Sequence, residues 1–145
     1  SLYPTIICTH NISPETLNCG HKECEEKNKV PGTQWYFCIK KRGFIPKHLE
    51  DLIKTRKEIK EKMKKVKKDS EEFKRLNNLN FAIKTISNAS YGYMAFVGAR
   101  WYKRECGSAT AAMGRMYITK IIELAKKEGF SVIYGDTDSV FLKLE

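Results

Sequence analysis

Two amphipathic helical patterns run back to back through the middle of the chain, and they constrain its fold more than any other feature. From Lys47 to about Lys68, the residues Leu49, Leu52, Ile53, Ile59, Met63 and Val66 fall on one stripe at 100° per residue. Pro46 stands at the entrance, where a missing N–H costs nothing. Asp69-Ser70-Glu71-Glu72 breaks the pattern, and Asp69 with Glu72 three residues on predicts a capping-box-like start for a second helix. That helix runs to about Ser90 or Tyr93, with Leu76, Leu79, Ala82, Ile83, Ile86 and Ala89 on one side. Two helices joined by so tight a turn predict an antiparallel hairpin.

The charge of the chain is concentrated on this hairpin. There are 27 Lys plus Arg against 17 Asp plus Glu, a net charge of +10, and residues 40–68 carry 13 basic and 4 acidic residues, +9 of that excess. Such an excess favours a polyanionic partner, nucleic acid or an anionic membrane surface. Most of the lysines read as a solvated face. Arg56 does not, because it lies within the apolar stripe, with Lys60 on its edge. A cation placed there must snorkel out or meet an anion. Lys84, Asn88 and Tyr91 gather on the polar side of the second helix. The hairpin therefore presents four groups that can bind phosphate: Arg56, Lys60, Lys84 and Asn88.

Near the C-terminus, the runs Phe130–Tyr134 and Val140–Leu144 have strand character and flank Tyr134-Gly135-Asp136-Thr137-Asp138-Ser139. So short and polar a connector predicts a β-hairpin with two carboxylates near its tip. In extended chain, side chains at i and i+2 share a face, so Asp136 and Asp138 can reach one point in space. A carboxylate pair with further oxygen ligands suits Mg²⁺, a hard ion usually shared with substrate phosphates. Taken alone, the triplet would read as a solvated Asp-rich turn.

The rest of the chain is less specific. Residues 1–8 form an apolar run interrupted by Pro4, which predicts a strand followed by a helix with Pro4 at its first position. Residues 9–46 read as loops and short strands, with Gln34–Ile39 the one strand candidate. A third helix is expected from about Ser108 to Glu128, burying Met113, Met116, Tyr117, Ile121, Leu124 and Ala125, with Gly129 as its stop. No apolar run approaches a membrane span and no signal-peptide pattern opens the chain, so a cytoplasmic protein with reduced thiols is expected. The chain opens without Met and ends in a strand-like run, as a fragment would. Cys19-x-His21-x2-Cys24 with Cys38 downstream offers zinc-type ligands, but the spacing fits no standard pattern. The expectation is against zinc and leaves a Cys24–Cys38 disulfide open.

Three motifs carry a resemblance. Ser1-Leu2-Tyr3-Pro4-Thr5-Ile6-Ile7 resembles motif A of family B DNA polymerases, Lys84-x3-Asn88-x2-Tyr91-Gly92 their motif B, and Tyr134-Gly135-Asp136-Thr137-Asp138-Ser139 their motif C. Order and spacing agree over essentially the whole chain. The text between, including Gly43-Phe44-Ile45-Pro46 and Ala99-Arg100-Trp101-Tyr102, is most similar to archaeal members. The resemblance implies an α+β fold. Part of a polymerase palm, a small antiparallel sheet with a packed helix, would comprise residues 1–46 and 99–145. A two-helix fingers insertion would comprise residues 47–98. It further implies Asp136 and Asp138 as catalytic ligands of Mg²⁺, and Leu2, Tyr3, Arg56, Lys60, Lys84, Asn88 and Tyr91 as dNTP-binding residues, with Tyr3 under the sugar. Arg100, Tyr102 and Thr137 would contact primer–template DNA, and the exonuclease, N-terminal and thumb parts of the polymerase chain would be partners.

The chain departs from the family in three places. The motif A Asp would stand just before Ser1, so a fragment inactive on its own is expected. Ala89 replaces a usual Ser. Lys103 stands where many archaeal members have a Cys paired with the counterpart of Cys106, although the Cys24–Cys38 spacing matches their other disulfide. Two rival readings are a non-catalytic basic nucleic-acid-binding module and a zinc-containing binding domain.

Overall fold

The computed structural model describes residues 1–143. The chain opens directly in helix α1 (Leu2–Thr9), without the strand expected before it. Pro4 lies inside the first turn rather than at the first helical position. The first four N–H groups of a helix have no intrahelical acceptor, so the missing donor costs nothing there either. Helix α1 contacts the three long helices α3 (Phe44–Met63), α4 (Glu71–Ala95) and α5 (Arg104–Lys127), and buries Pro4, Ile6 and Ile7 among them. Ile6, Ile7, Ile12, Val30, Phe37, Leu49, Met94, Cys106 and Met113 form the main core.

The two helical patterns do form an antiparallel pair. Helix α3 starts three residues earlier than predicted because Gly43, in extended backbone, serves as its N-cap, and Pro46 again falls in the first turn. The helix ends at Met63. Beyond it the N–H groups take closer carbonyls, Lys65 to Lys62 at 3.0 Å and Val66 to Met63 at 3.5 Å, so the lysine-rich end continues only as turns. Helix α4 is capped by Ser70, not Asp69: its hydroxyl accepts from the Phe73 N–H at 3.1 Å. Glu71 and Glu72 then sit in the first turn, where the helix dipole favours them.

The buried seam of α4 differs from the predicted stripe. Leu76, Ile83, Ser87 and Met94 are buried, whereas Leu79 and Ile86 stay 44% and 57% exposed. A pair of helices covers only a narrow seam, and residues at the wider edges of an apolar stripe remain outside it. Away from the main core, Ile59, Leu76 and Ile83 make a second small cluster with Leu52, Met63 and Val66 around it.

Helix α5 is also buried differently from the prediction. Its first half supplies the contact through small residues, Cys106, Gly107, Ala109, Thr110, Ala112 and Gly114, together with Met113. A Cβ on Gly107 would stand 2.9 Å from the Ala95 Cβ, so glycine is what lets α4 and α5 approach there. Ile121 and Leu124 on the second half are exposed. Gly129 (φ +89°) ends α5 as predicted, its N–H donating to Lys126 O at 3.1 Å and that of Phe130 to Ala125 O at 3.0 Å, the paired bonds of a Schellman motif. An antiparallel hairpin follows, β1 (Ser131–Asp136) and β2 (Ser139–Lys143), pairing Asp136 with Ser139 and Tyr134 with Phe141. Leu144, expected at the end of the second strand, lies outside the described residues.

The segment between α1 and α3 holds a 3₁₀ turn (Pro14–Thr16) and a short helix α2 (Lys22–Lys27) that the sequence did not suggest. Instead of a strand at Gln34–Ile39 there are two isolated bridges, Leu17 with Phe37 and Lys29 with Tyr36. Buried Asn11, at φ +54°, ties the segment down. Its amide donates to Cys38 O and Lys41 O at 2.6 and 2.8 Å, and its oxygen accepts from the Gly43 N–H at 2.8 Å. Among the described residues the cysteines carry free thiols, and Cys24 and Cys38, the pair left open above, lie in one cluster with Cys19 and His21. Among the described residues, no helix is long and apolar enough to cross a membrane.

Candidate functional site

The start of α1, the middle of the helical pair and the tip of the β-hairpin converge on one cavity of about 490 Å³. Ser1, Leu2 and Tyr3 line it from α1, Arg56 from α3, Lys84 and Asn88 from α4, and Thr137 and Asp138 from the hairpin tip. Arg56, Lys84 and Asn88 are thus brought together as the helical pattern predicted. Lys60 opens on an adjoining recess of about 200 Å³ that Arg56 and Lys84 also line.

The electrostatics of the cavity are unbalanced. Among the described residues, neither Arg56 nor Lys84 pairs with a carboxylate, and Asp138 is the only acidic residue lining the space. The Arg56 Nε is buried without a hydrogen-bond partner. Leaving a buried donor unmade costs about 1–3 kcal/mol, more for a charged group, so Arg56 retains donor capacity that the chain does not satisfy.

The hairpin reaches the cavity through a two-residue turn. Thr137 adopts φ +48°, and its hydroxyl donates to Asp136 Oδ1 at 2.9 Å. Of the two predicted carboxylates Asp138 lines the cavity, whereas Asp136, at the strand end with its carboxylate engaged by Thr137, is not among the lining residues. Both carboxylates are exposed, and their hard oxygens are the donor type that suits Mg²⁺.

Tyr3 has two close neighbours. Its ring lies 4.6 Å from that of Tyr91, tilted by 31°. Gly114 of α5 is the second, where a Cβ would already stand 3.4 Å from the Tyr3 Cε1. Gly114 and its neighbour Arg115, which line a smaller recess with Tyr3 and Thr137, were not identified from the sequence. A lone glycine inside a helical pattern was the available signal, since its packing reason offsets a cost of about 1 kcal/mol. Arg100 and Tyr102 do not line the cavity. They are exposed in the segment between α4 and α5, with the Arg100 guanidinium 5.4 Å from the Trp101 ring centre.

The model of DNA polymerase family B matches residues 1–145. The chain belongs to this family. A DNA polymerase of Desulfurococcus sp. (strain Tok) is 46% identical over 142 residues, 97% of this chain and 18% of that protein. DNA polymerase 2 of Aeropyrum pernix is 43% identical over 145 residues, 99% of this chain and 18% of its own. The solved structure of the family B DNA polymerase from the hyperthermophilic archaeon Pyrobaculum calidifontis superposes with a TM-score of 0.81 at 37% identity, over all of this chain and 19% of that one. The chain thus spans about a fifth of the length of the family B polymerases it matches.

Proposed function

We propose that the chain is the palm and fingers segment of a DNA-directed DNA polymerase, with residues 1–46 and 99–145 as palm and 47–98 as fingers. It would take part in template-directed transfer of a nucleotide from dNTP to a primer 3′-hydroxyl. The observation that carries this reading is the cavity: unpaired cations from the helical pair face a carboxylate at the hairpin tip, and Arg56 Nε lacks an acceptor. A triphosphate supplies the acceptors and the negative charge together.

Arg56, Lys60, Lys84 and Asn88 would hold the phosphates as charged or amide donors. Leu2 and Tyr3 would offer backbone amides to the phosphates, with the Tyr3 ring under the sugar and Tyr91, packed against that ring, close to the nascent base pair. Asp136 and Asp138 are the residues that would hold Mg²⁺, which when bound supplies charge for the reacting phosphate and lowers the pKa of the attacking hydroxyl. The carboxylates themselves set where such an ion sits relative to the phosphate donors. Thr137 stands at the tip where a primer end would arrive, and Arg100 and Tyr102 offer exposed duplex contacts outside the cavity. The basic run at residues 40–68 would add salt-dependent affinity for primer–template DNA. The exposed Ile121, Leu124 and Ile133 provide a face for the remaining polymerase chain.

The test is Asp138→Ala in a polymerase carrying this segment. Nucleotide addition in Mg²⁺ should be lost while duplex affinity is retained, because that affinity comes mainly from basic groups on phosphates. Wild-type extension by the variant would remove the basis for the site.

A further inference from the structure

The segment between α1 and α3 contains a second cluster, away from the cavity, made of three cysteines and one histidine. Cys19 Sγ, His21 Nδ1, Cys24 Sγ and Cys38 Sγ all lie within 4.8 Å of one another. His21 Nδ1 is 3.1 Å from Cys19 Sγ and 4.0 Å from Cys38 Sγ. With Zn–S near 2.3 Å and Zn–N near 2.0 Å, the edges of a tetrahedral Cys₃His site are about 3.8 Å between sulfurs and about 3.5 Å between sulfur and nitrogen. The two measured nitrogen–sulfur distances bracket the second value. Closing the remaining edges requires movements of about 1 Å at most, on side chains that do not have to change element.

We propose that Cys19, His21, Cys24 and Cys38 form a structural zinc site that staples this segment. Thiolate and imidazole are the soft and borderline donors that select zinc, and four protein ligands close the site, leaving no position for a substrate. One of the sulfurs is also prepared by the backbone. The Ile39 N–H donates to Cys24 Sγ at 3.4 Å.

The segment has a use for such a staple. Its regular structure is one helix of 6 residues, a 3₁₀ turn and two isolated bridges. Yet Cys38 is the residue whose carbonyl Asn11 holds at the foot of α1, the helix that opens the cavity. Metal binding is folding free energy for segments of this kind. The spacing C-x-H-x2-C-x13-C hides the site in the sequence, because its last ligand arrives through the bridged chain rather than through a second C-x2-C knuckle.

The protein, purified under reducing conditions without chelator, should carry about one zinc ion per chain by mass spectrometric metal analysis. After chelation, cobalt(II) should restore the site with thiolate-to-metal charge-transfer absorption. His21 is exposed and Cys19 only partly buried, so His21→Ala and Cys19→Ser leave the core intact while removing a ligand. Each should weaken zinc binding by at least roughly a hundredfold, the upper end of what loss of a mere supporting contact to a ligand costs. Cys8→Ser, outside the cluster, should change nothing. The proposal is overturned if zinc does not bind to the reduced chain, if the Cys19 and His21 variants bind as the parent does, or if thiol titration of the untreated protein finds Cys24 and Cys38 oxidised to each other.

Discussion

Replacing Arg56 with Met separates two costs that the structure puts on one side chain. Without nucleotide, the buried Nε has no acceptor, a penalty in the range of about 1–3 kcal/mol. The residue as a whole is half-buried and its cavity is open to water, so the lower end applies, about 1 kcal/mol. Met keeps the apolar stem of Arg without the orphaned donor. Arg56→Met should therefore leave the unfolding midpoint of the nucleotide-free protein unchanged or slightly raised. With nucleotide the sign reverses. A charge-assisted contact to phosphate contributes about 1.5–3 kcal/mol, and at 1.36 kcal/mol per decade its loss lowers kcat/KM for dNTP by about 10- to 150-fold. Single-nucleotide primer extension by a polymerase carrying this segment measures the second effect, and thermal unfolding measures the first. Duplex affinity, followed by fluorescence anisotropy, should hardly move. A variant that melts lower and uses dNTP as well as the parent would show that Arg56 is a packing residue and that the cavity does not receive phosphate.

Other expectations follow from single contacts. Tyr3→Ala should admit ribonucleotides more readily in extension assays, because Tyr91 and Gly114 together fix the ring it removes; unchanged discrimination would count against Tyr3 lying beside the sugar. Gly107→Ala should destabilise by about 1 kcal/mol or more, since overpacking of about 1–3 kcal/mol exceeds a helix-propensity gain of up to about 1 kcal/mol. Gly92→Ala, with nothing within 4 Å of the new Cβ, should stabilise by up to about 1 kcal/mol; chemical denaturation compares the two, and equal effects would refute the packing argument. Burial pushes the Cys106 thiol up to about 12 from 9.0. The neutral thiol therefore stabilises the fold fully below pH 9.0, and that contribution is lost as pH rises toward 12. Alkylation at pH 8 should spare Cys106 until the protein unfolds, as mass spectrometry of the labelled chain would show.

The helical pair, the third helix with its Gly129 stop and the β-hairpin were legible because each rests on local signals: periodicity, a left-handed glycine, and β-branched and aromatic runs joined by a short polar connector. The placing of Arg56, Lys84 and Asn88 on one side was legible for the same reason, since helix geometry fixes relative directions. What those directions would face was not. Leu79 and Ile86 fit the apolar stripe of α4 as well as Ile83 does, and only pairing with α3 decides which are covered. The first turn of α1 misled because proline is neutral at any of the first four helical positions, so Pro4 could not mark the start. Around Cys19–Cys38 the chain is held by isolated bridges and by the side chain of Asn11, interactions between residues far apart in sequence that no periodicity announces.

Leu52 packs against both hydrophobic clusters, the main core at the base of the helical pair and the small one farther out. Leu52 is thus the junction about which any swing of the outer pair against the main core would turn. At 1.5 Å per residue, Arg56 stands about 6 Å along α3 from that point and Met63 about 16 Å. A swing of about 10° would displace Met63 by about 3 Å but Arg56 by only about 1 Å. The guanidinium would then sit close to the pivot, where a large excursion of the arm would become a fine adjustment at the cavity wall.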